Sequence, residues 1–157
     1  MVTIRRAREK DAEAVGRVHR NAIRGLARGH YTDEQIEAWS GPRPQAHFGD
    51  VIRGKEFYVA EEGGEVVGFG SLNVGAGEVD AVYVAPAAAG RGVGMKLLRA
   101  VEGRAREAGL KRLRVEASLN AVGFYERAGY ELQGTGAHRL WNGIELPCAH
   151  MSKELAD

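Results

Sequence analysis

One segment constrains this chain more than any other: GEVDAVYV, then APAAA, then Gly90-Arg91-Gly92-Val93-Gly94, then MKLLRAVE. A β-rich run stopped by Pro86 turns through glycines into a helix whose Gly94, Leu97, Leu98, Val101 and Ala105 share one face up to Gly109. The next extended run is LKRLRVEAS. A strand, a crossover helix and a second strand return as a parallel pair. Upstream, EFYVAEE, a Gly63-Gly64 turn and EVVGFGSLNV read as an antiparallel hairpin, and a further strand runs from Glu78 to Val84. The sheet must therefore be mixed.

The rest of the chain extends this frame. Val2 to Arg5 alternates as a short strand, followed by Ala12, Val15, Val18, Ala22 and Ile23 at helical spacing. Thr32-Asp-Glu-Gln35 has the pattern of a capping box ahead of Ile36 and Trp39. Residues 41–50 hold two prolines and two glycines and read as loop, with at most one helical turn up to Gly54. After LKRLRVEAS come a short helix, NAVGFYERAG, and a last hairpin of YELQGTGAHRL and IELPCAHMSKEL around Asn142-Gly143. The expectation is one α/β (α+β) domain over residues 1–157, in the order β-α-α-β-β-β-α-β-α-β-β. Its mostly antiparallel, twisted sheet of about six or seven strands has helices on both faces and is not a doubly wound nucleotide fold.

Composition narrows the function. With 22 Lys and Arg against 21 Asp and Glu, the net charge of +1 is too small for counterion-release binding to a nucleic acid backbone. Cys148 stands alone, so there is no intrachain disulfide, and no CxxC or Cys/His spacing predicts a structural metal. No signal peptide or apolar run of membrane-spanning length is visible, and a cytoplasmic setting is expected without membrane association. Glycine is the anomaly: 22 of 157 residues is about twice the usual ~7%.

Glycines at a strand-to-helix turn let backbone N–H groups converge on an anion, and the helix N-terminus adds partial positive charge. Alone, the same pattern is also an ordinary tight turn. A dinucleotide GxGxxG fails, because Met95 or Leu97 stands where the third glycine is required, and a P-loop fails because Lys96 follows Met95. The second segment is Asn120-Ala-Val-Gly-Phe124-Tyr125-Glu-Arg-Ala-Gly129-Tyr130. By itself it reads as a capped helix, with Asn120 able to cap, carrying a core aromatic pair.

Together the two segments resemble the GNAT superfamily of acyl-CoA-dependent N-acyltransferases. That family's pyrophosphate loop is usually Arg/Gln-x-x-Gly-x-Gly/Ala, and its later segment reads Ala-x-x-Phe-Tyr-x-x-x-Gly-Phe/Tyr, with an asparagine shortly before the alanine. Here the loop motif falls on Ala89, Gly90, Arg91, Gly92, Val93 and Gly94, and the later one on residues 121–130 with Asn120 as the asparagine. Ala89 departs from the pattern, and Arg91 is expected to supply the missing charge.

The resemblance implies acetyl-CoA as cosubstrate, with no metal. It places pantetheine amides along Val82, Tyr83 and Val84, and adds Asn120 and Phe124 to the binding residues. Tyr125 would protonate the leaving thiolate, which suits a phenol with an ordinary pKa near 10. The attacking amine must lose a proton. Glu78, Asp80, Glu116, His30 and His138 are candidates, with Glu116 and Asp80 preferred, and His19 reads as packing. The acceptor would be the primary amine of a small molecule or peptide, held by residues 26–39 and 138–141; Glu34 and Glu37 are either recruiting charges or a wet helix face. The reaction implied is direct attack in a ternary complex, and a homodimer is compatible with the resemblance. The other class is a non-catalytic acyl-CoA-binding sensor or assembly module.

Overall fold

The computed structural model describes residues 1–43, 46–140 and 142–155. β1 (Val2–Arg6) leads into α1 (Ala12–Leu26), α2 (Asp33–Ser40) and α3 (His47–Gly54). β2 (Glu56–Glu62), β3 (Glu65–Asn73) and β4 (Glu78–Val84) follow as a meander. Then come α4 (Val93–Glu107), β5 (Arg112–Ser118), α5 (Val122–Arg127) and the pair β6 (Glu131–Arg139) and β7 (Glu145–Glu154). The capping box forms as read, Gln35 N–H donating to Thr32 Oγ1 and Thr32 N–H to Gln35 Oε1.

One element differs from expectation. Residues 47–54 make a full helix, α3, where at most one turn was read. Phe48, Val51 and Ile52, three and four residues apart, form an apolar face that packs with Val15, Val18 and Phe57. That tertiary burial outweighs the local glycine content; Pro44 and Gln45 of the same stretch lie outside the described residues.

The sheet has seven strands in the order β1-β2-β3-β4-β5-β7-β6. Every neighbouring pair is antiparallel except β4 and β5. α1 and α3 cover one face through Val15, Val18 and Ile52 over Phe57, Val59 and Phe69. α4 covers the other with Leu97 on Ala60, and Leu98, Val101 and Ala105 on Leu72, Val79 and Leu113. Each of the Val, Leu, Ile and Phe side chains among them stabilises the fold by about 1.5–3 kcal/mol relative to exposure. His19 is packing, as read: it lies 5.1 Å from the Tyr83 ring and 5.4 Å from the Phe48 ring. Its burial there pushes its pKa down to about 3, so the imidazole is neutral.

Behind the sheet, Tyr130 donates to Glu102 Oε2 at 2.7 Å, and the Lys153 ammonium reaches Glu102 at 3.1 Å and the Ala128 carbonyl at 2.8 Å. This network ties α4 and β7 to the end of α5, and so fixes the helix that carries Tyr125.

The parallel pair barely exists as a ladder. β4 and β5 meet only at Glu78 with Arg114 and at Val79 with Val115. Immediately beyond, Val79 faces Leu72 while Ala81 faces Ser71, so Asp80 is an extra residue, a bulge on β4. A bulge bends and twists its strand. Residues 81–84 stay paired to β3 and diverge from β5, leaving a wedge in the sheet. The Ala85 N–H donates to Val67 O at 2.8 Å. By strand alternation, the N–H and C=O groups of Val82 and Val84 then point the other way, into the wedge.

Candidate functional site

Two spaces border this wedge, with Val82, Tyr83, Ser118 and Ala121 lining both. The larger is an open cleft of about 500 Å³ between α1, residues 89–94 and α5. Gly90 and Gly92 take φ of +79° and +81°, conformations that disfavour any side chain. Gly92 caps α4, whose first turn leaves backbone N–H groups without intrahelical partners. Gly94 serves a different end: a Cβ there would sit 3.1 Å from Phe124 Cε1, so its absence lets α4 approach α5. Leu26 and Met95 add apolar wall.

Of the residues read as cofactor-binding, Val82, Tyr83, Val84, Ala89, Gly90, Gly92, Val93, Gly94, Asn120 and Phe124 line the cleft. Two readings change. Arg91 does not line the cleft; its guanidinium makes a two-pronged ion pair with Glu62 at 2.8 and 3.0 Å, anchoring the loop to β2. The cation that lines the cleft is Arg127, one helical turn beyond Phe124 on α5 and unrecognised from sequence. Nor does Asn120 cap a helix: Ala121 occupies the cap of α5 without a side-chain bond. Instead Asn120 Oδ1 is buried with no hydrogen-bond partner. A buried acceptor left so costs about 1–3 kcal/mol, which a ligand N–H would recover.

The smaller space, about 90 Å³, lies at the other end of the wedge. Tyr31, Trp39 and Tyr83 give it an aromatic floor, with ring centroids 5.3 Å apart for Tyr31 and Trp39 and 6.4 Å for Trp39 and Tyr83. Tyr31 also ties two of its walls together: its hydroxyl donates to Pro147 O at 2.7 Å and accepts from Leu119 N–H at 2.9 Å. The polar wall is Glu78, Asp80, Glu116, His138 and Cys148. Burial, with Glu116 and Asp80 nearby, raises the Glu78 pKa above the usual carboxylate value. Asp80 is ion-paired to Lys55 at 2.6 Å, which weakens its reading as a base. Glu116 lies 3.7 Å from both the His138 Nδ1 and the Cys148 Sγ. Burial, then the Glu116 carboxylate, pushes the Cys148 thiol up to about 11, so the sulfur is protonated.

Tyr125 lines this cavity while its neighbour Phe124 lines the cleft, which puts Tyr125 at the junction. Its ring packs 5.0 Å from Phe124 and 5.4 Å from Tyr130. Burial raises its pKa well above the ordinary phenol value, so the hydroxyl carries its proton throughout the neutral range. His30, Glu34 and Glu37 do not line either space, and Glu37 pairs with Arg24 at 3.4 Å. Of residues 138–141, His138 lines the cavity and Trp141 lies outside the described residues. Tyr31 and Trp39 come from the expected 26–39 segment, whereas sequence reasoning missed Ser118 and the β7 residues Leu146 to Cys148. Among the described residues no helix is long and apolar enough to cross a membrane.

The arrangement offers backbone donors and a cation for an anionic group, a strip of unpaired strand backbone for an extended amide-bearing chain, a buried acid, and a carboxylate-lined aromatic pocket. A model of the acetyltransferase (GNAT) domain matches residues 27–155. A GCN5-related N-acetyltransferase structure from Rhodopseudomonas palustris superposes with a TM-score of 0.91 at 32% identity, covering 98% of this chain and 95% of that one. A GNAT superfamily phosphinothricin acetyltransferase from Sinorhizobium meliloti, in complex with acetyl-CoA, has the same fold. Its TM-score is 0.75 at 22% identity, over 99% of this chain and 89% of that one. Among curated proteins, an IAA acetyltransferase of Azospirillum brasilense is 35% identical over 85 residues, or 50% of this chain. The matched stretch spans 56% of that relative's length.

Proposed function

This chain belongs to the GNAT acetyltransferase family, and on that premise we propose that it transfers an acetyl group from acetyl-CoA to the primary amine of a small molecule or peptide, by direct attack in a ternary complex. The observation that carries this reading is the wedge itself: one opening in the sheet has the glycine loop and the open first turn of α4 at one end and carboxylates at the other, with Tyr125 between them.

Acetyl-CoA, when bound, supplies an activated thioester. The chain's residues do the rest. The N–H groups of the Gly90 to Gly94 loop and the first turn of α4 take the pyrophosphate, with Arg127 adding charge. The Asn120 Oδ1 and the edge groups of Val82 and Val84 satisfy the pantetheine amides, and a β4 N–H polarises the thioester carbonyl. Tyr125 delivers its proton to the departing sulfur. A carboxylate accepts the amine's proton, directly or through water. Glu116 and Glu78 take this role in preference to Asp80, because Lys55 already holds the Asp80 carboxylate. A raised pKa brings Glu78 nearer the working pH of a base.

Thiol release from acetyl-CoA, followed against a panel of mono- and polyamines, amino acids and peptide N-termini, tests the proposal. Release that depends on an amine and yields the N-acetyl product is the expected result. Tight acetyl-CoA binding without release for any acceptor would make the chain a non-catalytic acyl-CoA-binding module.

A further inference from the structure

Three ligating side chains that the acyl transfer does not need together converge beside the acceptor cavity. Glu116 on β5 stands opposite His150 on β7, and Cys148 precedes His150 by two residues, so all three share one face of the sheet. One ligand atom of each lies within 4.8 Å of the other two. Cys148 Sγ is 3.7 Å from Glu116 Oε2, and His138 on β6 brings its Nδ1 to 3.7 Å from the same oxygen. At zinc bond lengths of about 2.0–2.3 Å, tetrahedral ligand atoms stand roughly 3.3–3.8 Å apart. The Cys148–Glu116 and His138–Glu116 pairs already stand at that spacing.

The neighbouring strand packs closely against the His150 ring. Gly136 on β6 faces Cys148. A Cβ at Gly136 would collide with the His150 Nε2 while standing 3.0 and 3.3 Å from the flanking Cδ2 and Cε1. Glycine at position 136 is therefore what lets the His150 ring, and with it one corner of the cluster, lie where it does.

We propose that Glu116, Cys148 and His150, with His138 as a fourth donor, bind a borderline-soft divalent cation, Zn²⁺ being the best fit. A thiolate, two imidazoles and one carboxylate oxygen suit zinc, whereas magnesium and calcium require oxygen shells. Binding releases the Cys148 thiol proton to solvent and changes no oxidation state. An occupied site ties up Glu116 and narrows the amine's entry, so the cation inhibits transfer. That consequence rests on the functional reading above; the binding itself does not.

Cobalt(II) is the probe, titrated into the full chain and followed by absorption. The expected result is one equivalent bound, with a thiolate-to-cobalt charge-transfer band and the intense visible bands of tetrahedral coordination, all displaced by Zn²⁺. Cys148→Ser removes the charge-transfer band. His150→Gln, which leaves the sulfur untouched, weakens binding by at least about 100-fold, since even outer partners of zinc ligands contribute 10–100-fold. Gly136→Ala keeps every donor but forces the His150 ring out of its place, and also weakens binding. Absence of a thiolate band, or an affinity unchanged in both Cys148→Ser and His150→Gln, overturns the proposal. Failure of every amine in the transfer assay would leave these spectra intact, so the two readings fail separately.

Discussion

The two ends of the wedge are built on opposite principles. The cleft end is made of backbone: Gly90 and Gly92 in left-handed conformations, the open first turn of α4 and the edge of β4, with Arg127 the one cation among the described lining residues. The acceptor end is made of side chains drawn from far apart in the chain, with Tyr31 bonded to Pro147 and Leu119, and Glu116 beside both His138 and Cys148. On the proposed reading, a backbone site recognises what its ligands have in common, diphosphate and amides, and should tolerate most substitutions outside the glycines. On the same reading, a side-chain site sets which amine is accepted, and each residue in it would be a point of failure.

Substitutions should divide accordingly. The largest effect is expected where the two ends meet. Tyr125→Phe keeps the ring packed between Phe124 and Tyr130 but removes the proton, so kcat should fall by about 10²–10⁴ with acetyl-CoA affinity unchanged. A drop in affinity with kcat intact, read from steady-state kinetics and calorimetry, would move Tyr125 to the binding side. Glu116→Gln comes next, lowering kcat/KM for the amine by about 10²-fold at neutral pH while sparing the KM for acetyl-CoA. If Glu116→Gln changed only the KM for acetyl-CoA, the division between the ends would collapse.

Substitutions at the cleft end should show the mirror image. Arg127→Ala and Asn120→Ala are each expected to weaken acetyl-CoA binding by about tenfold, the size of one lost hydrogen bond to a ligand, with kcat nearly unchanged. Only the Arg127 effect should fade as salt rises, because Asn120 Oδ1 is buried and neutral. Arg91→Ala, which breaks only the pair with Glu62, should leave affinity close to the parent value.

The smallest effect concerns stability. Because burial, Glu116 and Asp80 raise the Glu78 pKa in the fold, its ionisation costs the native state free energy. Stability present below the ordinary carboxylate pKa is therefore lost as pH rises through the raised value. Glu78→Gln should raise Tm at neutral pH, and the gain should vanish at about pH 4, where the side chain is largely protonated in both states. A gain of equal size at both pH values would point to packing instead of charge crowding.

The same contrast explains what sequence could reveal. The cleft end is local: a strand, its glycine turn and a helix within one stretch, then Asn120 to Tyr125 in another, so the two motifs that carry the family resemblance can be read along the chain. Arg91 looked like the loop's cation because it sits inside the motif; only the fold shows Glu62 holding it, and Arg127 aimed at the cleft from another helix. The acceptor end had no local pattern. Tyr31 is a single aromatic in a loop, and Cys148 and His150 become neighbours of Glu116 only through strand register. The bulge at Asp80 was equally invisible, since an extra residue in a strand leaves the alternation of EVDAVYV looking regular. α3 was missed because its apolar face matters only once α1 is there to cover it.

The central claim is that the wedge between β4 and β5 receives the acyl carrier along the exposed edge of β4. Amide hydrogen exchange at Val82 and Val84, followed by NMR with and without acetyl-CoA, tests it most directly. Both N–H groups face away from β3, so they should exchange much faster than that of Ala85, which is bonded to Val67. Saturating acetyl-CoA should slow exchange at one or both while leaving Ala85 unaffected. Tight binding with no added protection at either position would contradict the account and place the carrier outside the wedge.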